Sequence, residues 1–356
     1  MKGLLLSGGK GTRLRPLTFT RAKQLIPIAG KPNLVYGIED LVSAGISEIG
    51  VVVSPETGAD VRGALDSGER FGAHLTYLLQ EKPLGLAHAV LVAHGFLQDD
   101  PFVMYLGDNI LQGGIAHLLE LFEAKRPAAV VLLAQVANPG AFGVAILDAQ
   151  GELKGLVEKP AHPPSDLALV GVYLFTEEIH AAIANLEPSA RGELEITDAI
   201  QQLITQGSKV EALRVRGWWK DTGKPTDLLD ANHLVLSHLL PCLRGEIDAS
   251  EVTGNAVIES GAKVIRSQLR GPVYIGRNAV IEDSYIGPYT SVGDGAQVLR
   301  SQVEYSILLD GARVKDLPLM LDRSVVGQDA VVDGIQIGAR KHTLQLVIGD
   351  MSRVTL

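Results

Sequence analysis

The stretch MKGLLLSGGKGTRLRP, residues 1–16, decides how the first part of the chain folds. Its apolar run ends directly in glycines and cations, which is typical of a buried strand followed by an anion-binding loop. Further apolar runs follow as EIGVVVS, LTYLLQ, FVMYLGD and AAVVLLAQV. Runs of this kind, apolar on both faces, are typical of strands buried in a mostly parallel sheet.

Segments with a helical spacing of apolar residues separate these runs, at residues 33–44, 60–65, 86–97 and 115–122. The alternation predicts an α/β fold, a Rossmann-like and mostly parallel sheet with helices on both faces. Ligands of such sheets bind at the carboxyl ends of the strands. We therefore expect functional residues at positions 7–11, at Gln80 and at positions 107–109.

The pattern changes near Pro241, after which no helical period is evident. Apolar residues instead recur every six positions, in the series Val280, Ile286, Val292 and Val298, in the series Leu269, Ile275 and Ile281, and in the pair Ile258 and Val264. A hexapeptide period predicts a left-handed parallel β-helix, with a β-sandwich of chance spacing as the alternative. We expect one domain at residues 1–240 and a hexapeptide-repeat β-helix domain at residues 241–356.

The composition restricts the class of protein. The chain has 356 residues and one cysteine, which excludes a disulfide framework and a cysteine-based zinc site. It carries 32 Lys and Arg against 41 Asp and Glu, and this net charge of −9 argues against nonspecific binding of nucleic acid. No apolar run is long enough to span a membrane. We expect a cytoplasmic protein that binds small molecules, and neither nucleic acid nor a membrane.

The loop GGKGTRLRP, residues 8–16, matches neither common phosphate-binding fingerprint. It lacks the closing Gly-Lys-Ser/Thr of a P-loop, and Leu14 stands where the dinucleotide motif needs its third glycine. Its glycines can still expose backbone N–H groups to an anion, and Arg13, Arg15 and Lys23 lie close in sequence. A solvent-exposed turn with loose charges is the alternative. The loop is thus a candidate site for a polyphosphate.

The loop and a series of later motifs together resemble the sugar-1-phosphate nucleotidylyltransferases. The motifs follow one another as GGKGTRLRPLT, AKQLIPIAGKP, QEKPLGLAHA, YLGDNI, FGVAILD, VEKP, ALVGVYLF, SARGELEITD and GWWKDTGKPTDLL. Within that family, the chain is similar to the long form of the glucose-1-phosphate thymidylyltransferases, closely over residues 1–240 and more loosely over the tail. The resemblance implies that dTTP and glucose 1-phosphate are converted to dTDP-glucose and pyrophosphate with Mg²⁺.

The resemblance also implies roles for individual residues. The catalytic residues are Arg13, Lys23 and Lys159. The nucleotide-binding residues are Gly8, Gly9, Gly11, Thr12, Arg13, Lys23, Gln80, Gly85 and Asp108. The sugar-binding residues are Asn109, Gly143, Glu158, Lys159, Leu169, Val170 and Arg191. Mg²⁺ would be held by Asp108 and Asp221, although each could instead be a helix cap or a turn residue.

Three further possibilities concern the substrates and the tail. UTP and another sugar 1-phosphate are an alternative substrate pair, since thymine differs from uracil by one methyl group. A non-catalytic regulatory or assembly paralogue is an alternative of another class, which the charged site residues disfavour. For the tail we expect an assembly module and a homo-oligomer. An acyltransferase is less favoured, because His342 is the only histidine of residues 241–356.

Overall fold

The computed structural model describes residues 1–9, 11–334 and 343–355. His342, the histidine that an acyltransferase would need, lies outside the described residues. Within the described part of the chain, no helix is long and apolar enough to cross a membrane.

The described chain forms two compact units. The first unit consists of residues 1–9 and 33–221, and the second unit consists of residues 11–32 and 222–355. The candidate phosphate loop is therefore divided between the units after Gly9.

Short strands and helices alternate through the first 238 residues. The strands are β1 (Lys2–Ser7), β2 (Pro27–Ile28), β3 (Lys31–Pro32), β4 (Glu48–Val53), β5 (His74–Leu79), β6 (Phe102–Leu106), β7 (Asn109–Leu111), β8 (Ala129–Gln135), β9 (Gly143–Leu147), β10 (Leu153–Glu158), β11 (Leu167–Phe175), β12 (Val210–Arg214) and β13 (Trp219–Asp221). The helices are α1 (Asn33–Ser43), α2 (Gly58–Leu65), α3 (Leu86–Leu97), α4 (Ala116–Lys125), α5 (Glu178–Ala184), α6 (Ile196–Thr205) and α7 (Pro225–Leu236).

The first unit is built on a mixed sheet, which has nine strands among residues 1–9 and 33–221. The order is β10-β9-β11-β6-β1-β4-β5, with β8 beside β11 and β12 beside β8. The strands β6, β1, β4 and β5 are parallel neighbours. The strands β9, β10 and β11 add antiparallel pairs, which the sequence pattern did not indicate. The predicted Rossmann-like α/β sheet is confirmed.

Successive side chains of β1 point to opposite sides of the sheet, and both sets are apolar. Helices therefore cover both faces of the sheet. Leu4 and Leu6 belong to a core that they share with residues of α3, α5 and α6. Leu5 lies on the other side, where α1 passes so close that a Cβ on Gly37 would lie 3.0 Å from the Leu5 side chain. Full burial of each leucine stabilises the fold by about 1.5–3 kcal/mol. The core therefore holds β1 in the middle of the sheet.

The tail consists of very short strands. They are β14 (Cys242–Leu243), β15 (Glu246–Asp248), β16 (Glu251–Thr253), β17 (Ala256–Ile258), β18 (Lys263–Ile265), β19 (Gln268–Arg270), β20 (Val273–Ile275), β21 (Val280–Glu282), β22 (Tyr285–Ile286), β23 (Thr290–Val292), β24 (Gln297–Leu299), β25 (Gln302–Glu304), β26 (Ile307–Leu308), β27 (Arg313–Lys315), β28 (Met320–Asp322), β29 (Val325–Val326), β30 (Val331–Asp333), β31 (Thr343–Leu344), β32 (Val347–Ile348) and β33 (Arg353–Thr355).

These strands form three parallel sheets within the described tail, and each sheet takes every third strand. We name the sheet β14-β17-β20-β23-β26-β29-β32 the β14 sheet. Apolar side chains of all three sheets meet in one core, as expected for a coil built from hexapeptides. The predicted parallel β-helix is confirmed, while its left-handedness stays a prediction.

A ladder of serines connects successive coils at one corner of the β-helix. The Ser250 hydroxyl oxygen accepts a hydrogen bond from the N–H of Ser267, 17 residues later, at 2.9 Å. In the same way, the Ser267 hydroxyl accepts from the N–H of Ser284, and the Ser284 hydroxyl accepts from the N–H of Ser301. Each of these bonds again spans 17 residues. The ladder satisfies backbone donors at a turn where no strand neighbour is available. The spacing of 17 residues is one less than three hexads, so each of these coils consists of three hexads with one residue missing.

Candidate active site

The carboxyl ends of the four parallel strands meet at one edge of the first unit. Gly8 follows β1, Gln80 follows β5, and Asp108 follows β6 after one intervening residue. The register pairs Ser7 with Val53 and Leu6 with Leu106, so these strands end together. The predicted positions therefore share one edge, as the parallel topology requires.

The side-chain amide of Gln80 is held in one orientation. Its Nε2 donates to the carbonyl oxygen of Gly85 at 3.2 Å and contacts Nδ1 of His88 at 2.9 Å. A carbonyl oxygen only accepts, so Nε2 must face Gly85. A Cβ built on Gly8 would lie 3.2 Å from Gln80 Oε1. The predicted residues Gly8, Gln80 and Gly85 are thus brought together, with Oε1 as the acceptor beside Gly8.

Gly85 has to be glycine for two reasons. Its φ of 106° is unfavourable for residues with a Cβ. A Cβ there would also lie 2.4 Å from the carbonyl oxygen of Leu194. The residue immediately precedes α3, whose backbone at Ala87 donates to the same Leu194 oxygen. Backbone packing therefore sets the position of the carbonyl that orients Gln80.

The rest of the phosphate loop belongs to the second unit. Gly11 adopts a left-handed conformation, and its carbonyl oxygen accepts a hydrogen bond from the Thr18 hydroxyl at 2.7 Å. Thr12 and Arg13 follow on an exposed 3-10 turn. Lys23 is half-buried, and its Cβ lies 3.2 Å from a Cβ built on Gly11. The structure thus brings Gly11 and Lys23 together and leaves the Arg13 side chain exposed to solvent.

Asn109 connects three strands at the predicted sugar and metal positions. Its Oδ1 accepts hydrogen bonds from the N–H of Gly171 at 3.1 Å and from Nε1 of Trp219 at 2.6 Å. Its Nδ2 donates to Oδ1 of Asp108 at 3.1 Å. The β8–β11 ladder is interrupted between Leu169 and Tyr173, which leaves the Gly171 N–H for this bond. Asn109 is buried and therefore acts as a structural link between β7, β11 and β13.

Asp108 and Asp221 lie at the same end of a two-stranded antiparallel sheet. The strands β7 and β13 pair so that Asp221 is opposite Asn109, the residue next to Asp108. Asp108 lies in a tight turn between β6 and β7, and so it is not a helix cap. Its side chain is buried, and its Oδ1 accepts the hydrogen bond from Asn109. Two carboxylates fit Mg²⁺, which takes its remaining ligands from substrate phosphates and water.

Asp108 and Asp221 are the two carboxylates that the sequence predicts for Mg²⁺. In the part of the chain that the structure describes, no group of three or more His, Cys, Asp or Glu side chains could hold a metal ion. The donors are thus too few for an all-protein cage and suit a cation that arrives with a phosphate ligand.

The predicted sugar-binding residues converge around Glu158. Its Oε2 accepts a hydrogen bond from Thr197 at 2.7 Å, and its Oε1 accepts one from Arg191 at 3.1 Å. Gly143 is opposite Glu158 in the β9–β10 register. A Cβ on Gly143 would lie 2.8 Å from the Leu169 side chain and 3.3 Å from Glu158 Oε2. The structure therefore brings Gly143, Glu158, Leu169 and Arg191 into one pocket wall.

Charges around this wall are balanced in part. Lys159 Nζ lies 3.2 Å from Glu158 Oε1, and Arg191 also pairs with the buried Glu195 at 2.7 Å. Burial raises the pKa of Asp198, and the nearby Glu195 and Glu158 carboxylates raise it further. Arg191 acts in the opposite direction on that pKa. The wall thus combines hydrogen-bond acceptors for hydroxyl groups with two cations suited to a phosphate.

The remaining predicted residue, Val170, lies on β11 beside the Gly171 that bonds Asn109. Thr197, which the sequence did not single out, holds Glu158 in place. His88 and Trp219 likewise hold the predicted residues Gln80 and Asn109. Their partners lie up to 110 residues away in sequence. A single sequence carries no signal for such pairs, because side-chain partners are set only when strands meet.

Comparisons with known proteins agree with this geometry. The family model described as "Nucleotidyl transferase" matches residues 2–238. A glucose-1-phosphate thymidylyltransferase of Streptomyces antibioticus is 48% identical over 358 residues, which cover 100% of this chain and 99% of that protein. The low-salt glycan biosynthesis nucleotidyltransferase Agl11 of Haloferax volcanii is 45% identical over 100% of both chains.

A solved structure points to the same fold. A UDP-glucose pyrophosphorylase complexed with UDP-glucose matches with a TM-score of 0.60 and 25% identity, over 67% of this chain and 99% of that one. The resemblance inferred from the motifs is confirmed by these matches. By its sequence, its sheet and its strand-end site, this chain belongs to the nucleotidyl transferase family.

Proposed function

We propose that this chain is a glucose-1-phosphate thymidylyltransferase, which converts dTTP and α-D-glucose 1-phosphate to dTDP-glucose and pyrophosphate. Full-length similarity to the Streptomyces antibioticus enzyme supports the activity. The observation that carries the base assignment is the fixed amide of Gln80, whose Nε2 is turned towards Gly85 and His88.

The base is recognised by the Oε1 atom of Gln80. An acceptor at this place selects a base that presents an N–H donor on its pairing edge. Thymine and uracil carry such a donor at N3, and guanine carries one at N1, while cytosine and adenine present an acceptor at the equivalent atom. The acceptor therefore excludes cytosine and adenine, and the choice of thymine over guanine rests on the full-length similarity to the thymidylyltransferase. The thymine methyl group contributes only about 0.8 kcal/mol if buried, so the preference over UTP is modest in free energy.

The sugar phosphate binds at the wall formed by Gly143, Glu158 and Leu169. The Glu158 carboxylate, already fixed by Thr197, accepts hydrogen bonds from sugar hydroxyls. Lys159 and Arg191 lie beside the Glu158 carboxylate that binds the sugar. This position places their positive charges next to the phosphate that the sugar carries. The backbone around Val170 lines the same wall. The buried side chain of Asn109, predicted to bind the sugar, supports this wall from behind through its hydrogen bond from Gly171.

The triphosphate binds at the loop that begins with Gly8 and Gly9. The N–H groups of this loop, including Gly11 and Thr12, face the phosphate oxygens without obstruction by side chains. Arg13 neutralises the charge that develops on the departing pyrophosphate, and Lys23 stabilises the reacting phosphates. Exposed Arg13 is available for this role because its side chain projects into solvent.

The reaction is an in-line substitution at the α-phosphorus of the triphosphate. A phosphate oxygen of glucose 1-phosphate forms the new P–O bond while the bond to pyrophosphate breaks. Two anions have to approach, so the residues act by positioning and by neutralising charge. Asp108 and Asp221 would hold Mg²⁺, which supplies positive charge to the substrate phosphates when bound. No covalent intermediate with the protein is required.

A matrix of substrates tests the proposal directly. Each of dTTP, UTP, ATP and GTP is combined with several sugar 1-phosphates, and pyrophosphate release is followed. We expect dTTP with glucose 1-phosphate to have the highest kcat/KM. UTP ranking first would make the chain a uridylyltransferase. The match to a UDP-glucose pyrophosphorylase favours this alternative over other nucleotides. Faster turnover of ATP or GTP than of both pyrimidines would refute the base assignment, and ATP in first place would also refute the role of Gln80.

The role of the loop is tested by Arg13→Ala with Arg126→Ala as control. Both arginines are exposed, but Arg126 pairs with Glu123 at the end of α4. We expect Arg13→Ala to lower kcat at least about 100-fold. Removal of a single donor that stabilises developing charge has an effect of this size in other enzymes. Near-normal turnover in Arg13→Ala would remove this residue from the mechanism.

The carboxylate pair is tested by Asp108→Asn and Asp221→Asn. We expect both variants to need more Mg²⁺ for half-maximal activity, and to lose affinity for Mn²⁺ in direct binding titrations. Unchanged titration curves in both variants would refute the pairing.

The domain boundary and the tail have their own test. The catalytic domain spans residues 1–240, and residues 241–356 form an assembly module that makes the enzyme a homo-oligomer. The size of the full chain in solution, compared with that of a chain ending at Leu240, measures this role. An unchanged oligomer would contradict it.

A further inference from the structure

Part of the phosphate loop is attached to the far end of the β-helix. Residues 11–32, which carry Arg13 and Lys23, belong to the second unit together with the tail. Thr20 and Arg21 lie between these two cations in sequence. Both bond to Asp350, which follows β32 in the last described coil.

The attachment is a compact polar cluster. The Thr20 hydroxyl donates to Asp350 Oδ2 at 2.6 Å, and Arg21 Nε donates to the same oxygen at 3.0 Å. Arg21 Nη2 also donates to Oε1 of Gln328, and Asp350 Oδ1 accepts from the Gln328 backbone N–H at 2.8 Å. Arg21 further interacts electrostatically with Asp310. Arg21 is therefore shared by residues from three coils.

The ion pair of Arg21 and Asp350 is shielded from solvent, unlike the surface ion pairs of the β-helix. The side chains of Arg21 and Asp350 are 16% and 7% exposed. Arg353, in the same last coil, pairs with Asp333 at 3.0 Å but is 73% exposed. Exposed pairs contribute little, whereas a shielded carboxylate with several donors holds its partners in one geometry.

Pro16 and Gly349 provide apolar contact next to the cluster. A Cβ built on Gly349 would lie 3.2 Å from the Pro16 Cβ. The loop segment is thus held against the last coil on both sides of Thr18, whose hydroxyl fixes Gly11.

A second attachment lies at the end of the segment. The Ala29 N–H donates to Oδ1 of Asn232 at 2.8 Å, and the same oxygen accepts from the Ser291 hydroxyl at 2.7 Å. Asn232 Nδ2 donates to the carbonyl oxygen of Tyr289 at 3.0 Å. Asn232 is fully buried on α7, and Ser291 is on β23 of the β14 sheet. The segment is therefore anchored to this sheet at two separated places.

We propose that Asp350 and Gln328 are positioning residues for catalysis, which act through Arg21 on the loop that carries Arg13 and Lys23. The inference rests on the proposed function of these two cations. By this reasoning the terminal coil of the β-helix is part of the catalytic apparatus, because it limits where the triphosphate-binding cations can lie. Catalysis of this kind depends on positioning, and a displacement of about 1 Å can cost about 100-fold in rate.

The central experiment compares Asp350→Asn with Arg353→Gln in the full-length enzyme. The asparagine keeps the side-chain volume but turns an amide N–H₂ towards Thr20 and Arg21, or loses the bond to Gln328 if it is reversed. We expect kcat/KM for the nucleoside triphosphate to fall about 10- to 100-fold, with KM for the sugar 1-phosphate unchanged. Arg353→Gln, which removes a pair in the same coil, should leave both parameters at the wild-type values.

Arg21→Gln and Arg21→Lys test the same link from the loop side. Arg21→Gln leaves the terminal coil intact and should reproduce the kinetic defect of Asp350→Asn, while the double variant should be no worse than either single one. Arg21→Lys retains the charge and should recover part of the activity. These loop variants also decide the question if Asp350→Asn fails to fold.

Thermal unfolding and hydrogen exchange separate positioning from general stability. We expect amides of residues 18–25 to exchange faster in Asp350→Asn than in Arg353→Gln, with equal melting temperatures. Equal kinetics in Asp350→Asn and Arg353→Gln would overturn the inference. An equal rise in KM for both substrates, with a lower melting temperature, would also overturn it. A wrong substrate assignment would show in the substrate matrix of the wild-type enzyme. The variants are then compared on the substrates that the wild-type enzyme prefers, so the two failures are distinguishable.

Discussion

Replacing Asn109 by leucine tests the link between the fold and the site most directly. Leucine has the same branched arrangement of side-chain heavy atoms but cannot accept the hydrogen bonds from Gly171 at 3.1 Å and Trp219 at 2.6 Å. Each donor left without a partner costs about 1–3 kcal/mol when buried. Gly171 is buried and Trp219 is half-buried, so we expect a total loss of about 2–5 kcal/mol in the free energy of unfolding.

The same change should alter the dependence on metal. Asn109 also donates to Asp108 at 3.1 Å and is opposite Asp221 in the β7–β13 register. Without it, the two carboxylates lose their common support. We expect the Mg²⁺ concentration for half-maximal activity to rise by about tenfold, which corresponds to about 1.4 kcal/mol.

The assay is urea unfolding followed by circular dichroism, together with Mg²⁺ titration of pyrophosphate release. Trp219→Phe is the matched variant, because it removes one of the two donors to Asn109 and leaves the hydrogen bond from Gly171 in place. It should lose less stability than Asn109→Leu. A loss below about 0.5 kcal/mol in Asn109→Leu would refute the reasoning, since it would mean that the two donors find other partners.

Three further changes have definite expected outcomes. Gly30→Ala should lower the melting temperature strongly, because φ is 77° and a Cβ would lie 2.1 Å from the Tyr274 ring; Tyr274→Leu should relieve part of that loss. Asp198→Asn should stabilise the protein more near about pH 7 than near about pH 4, as thermal unfolding would show. The raised pKa of Asp198 means that its ionisation weakens the native state as pH rises through that pKa, and asparagine removes this cost. Gln80→Leu should lower kcat/KM for dTTP about tenfold and reduce discrimination against CTP, while KM for glucose 1-phosphate serves as the internal control.

Sequence patterns alone predict both kinds of fold and the sheet edge at which the candidate site lies. Apolar runs separated by helical spacing can form only a covered sheet, and parallel strands end on one side. Gln80 and Asp108 could therefore be assigned to one edge from the ends of their runs. The six-residue period after Pro241 likewise requires stacked coils, since a single hexad cannot bury its apolar residue alone.

Which side chains hold the candidate site together depends on tertiary packing. Asn109 meets Gly171 and Trp219 because the β8–β11 ladder is interrupted where β7 and β13 approach β11. Arg21 meets Asp350 across 329 residues of sequence. Local periodicity reports whether a residue is buried, because burial depends on its own element. It does not report the partner, because hydrogen-bond partners are set by how distant elements pack.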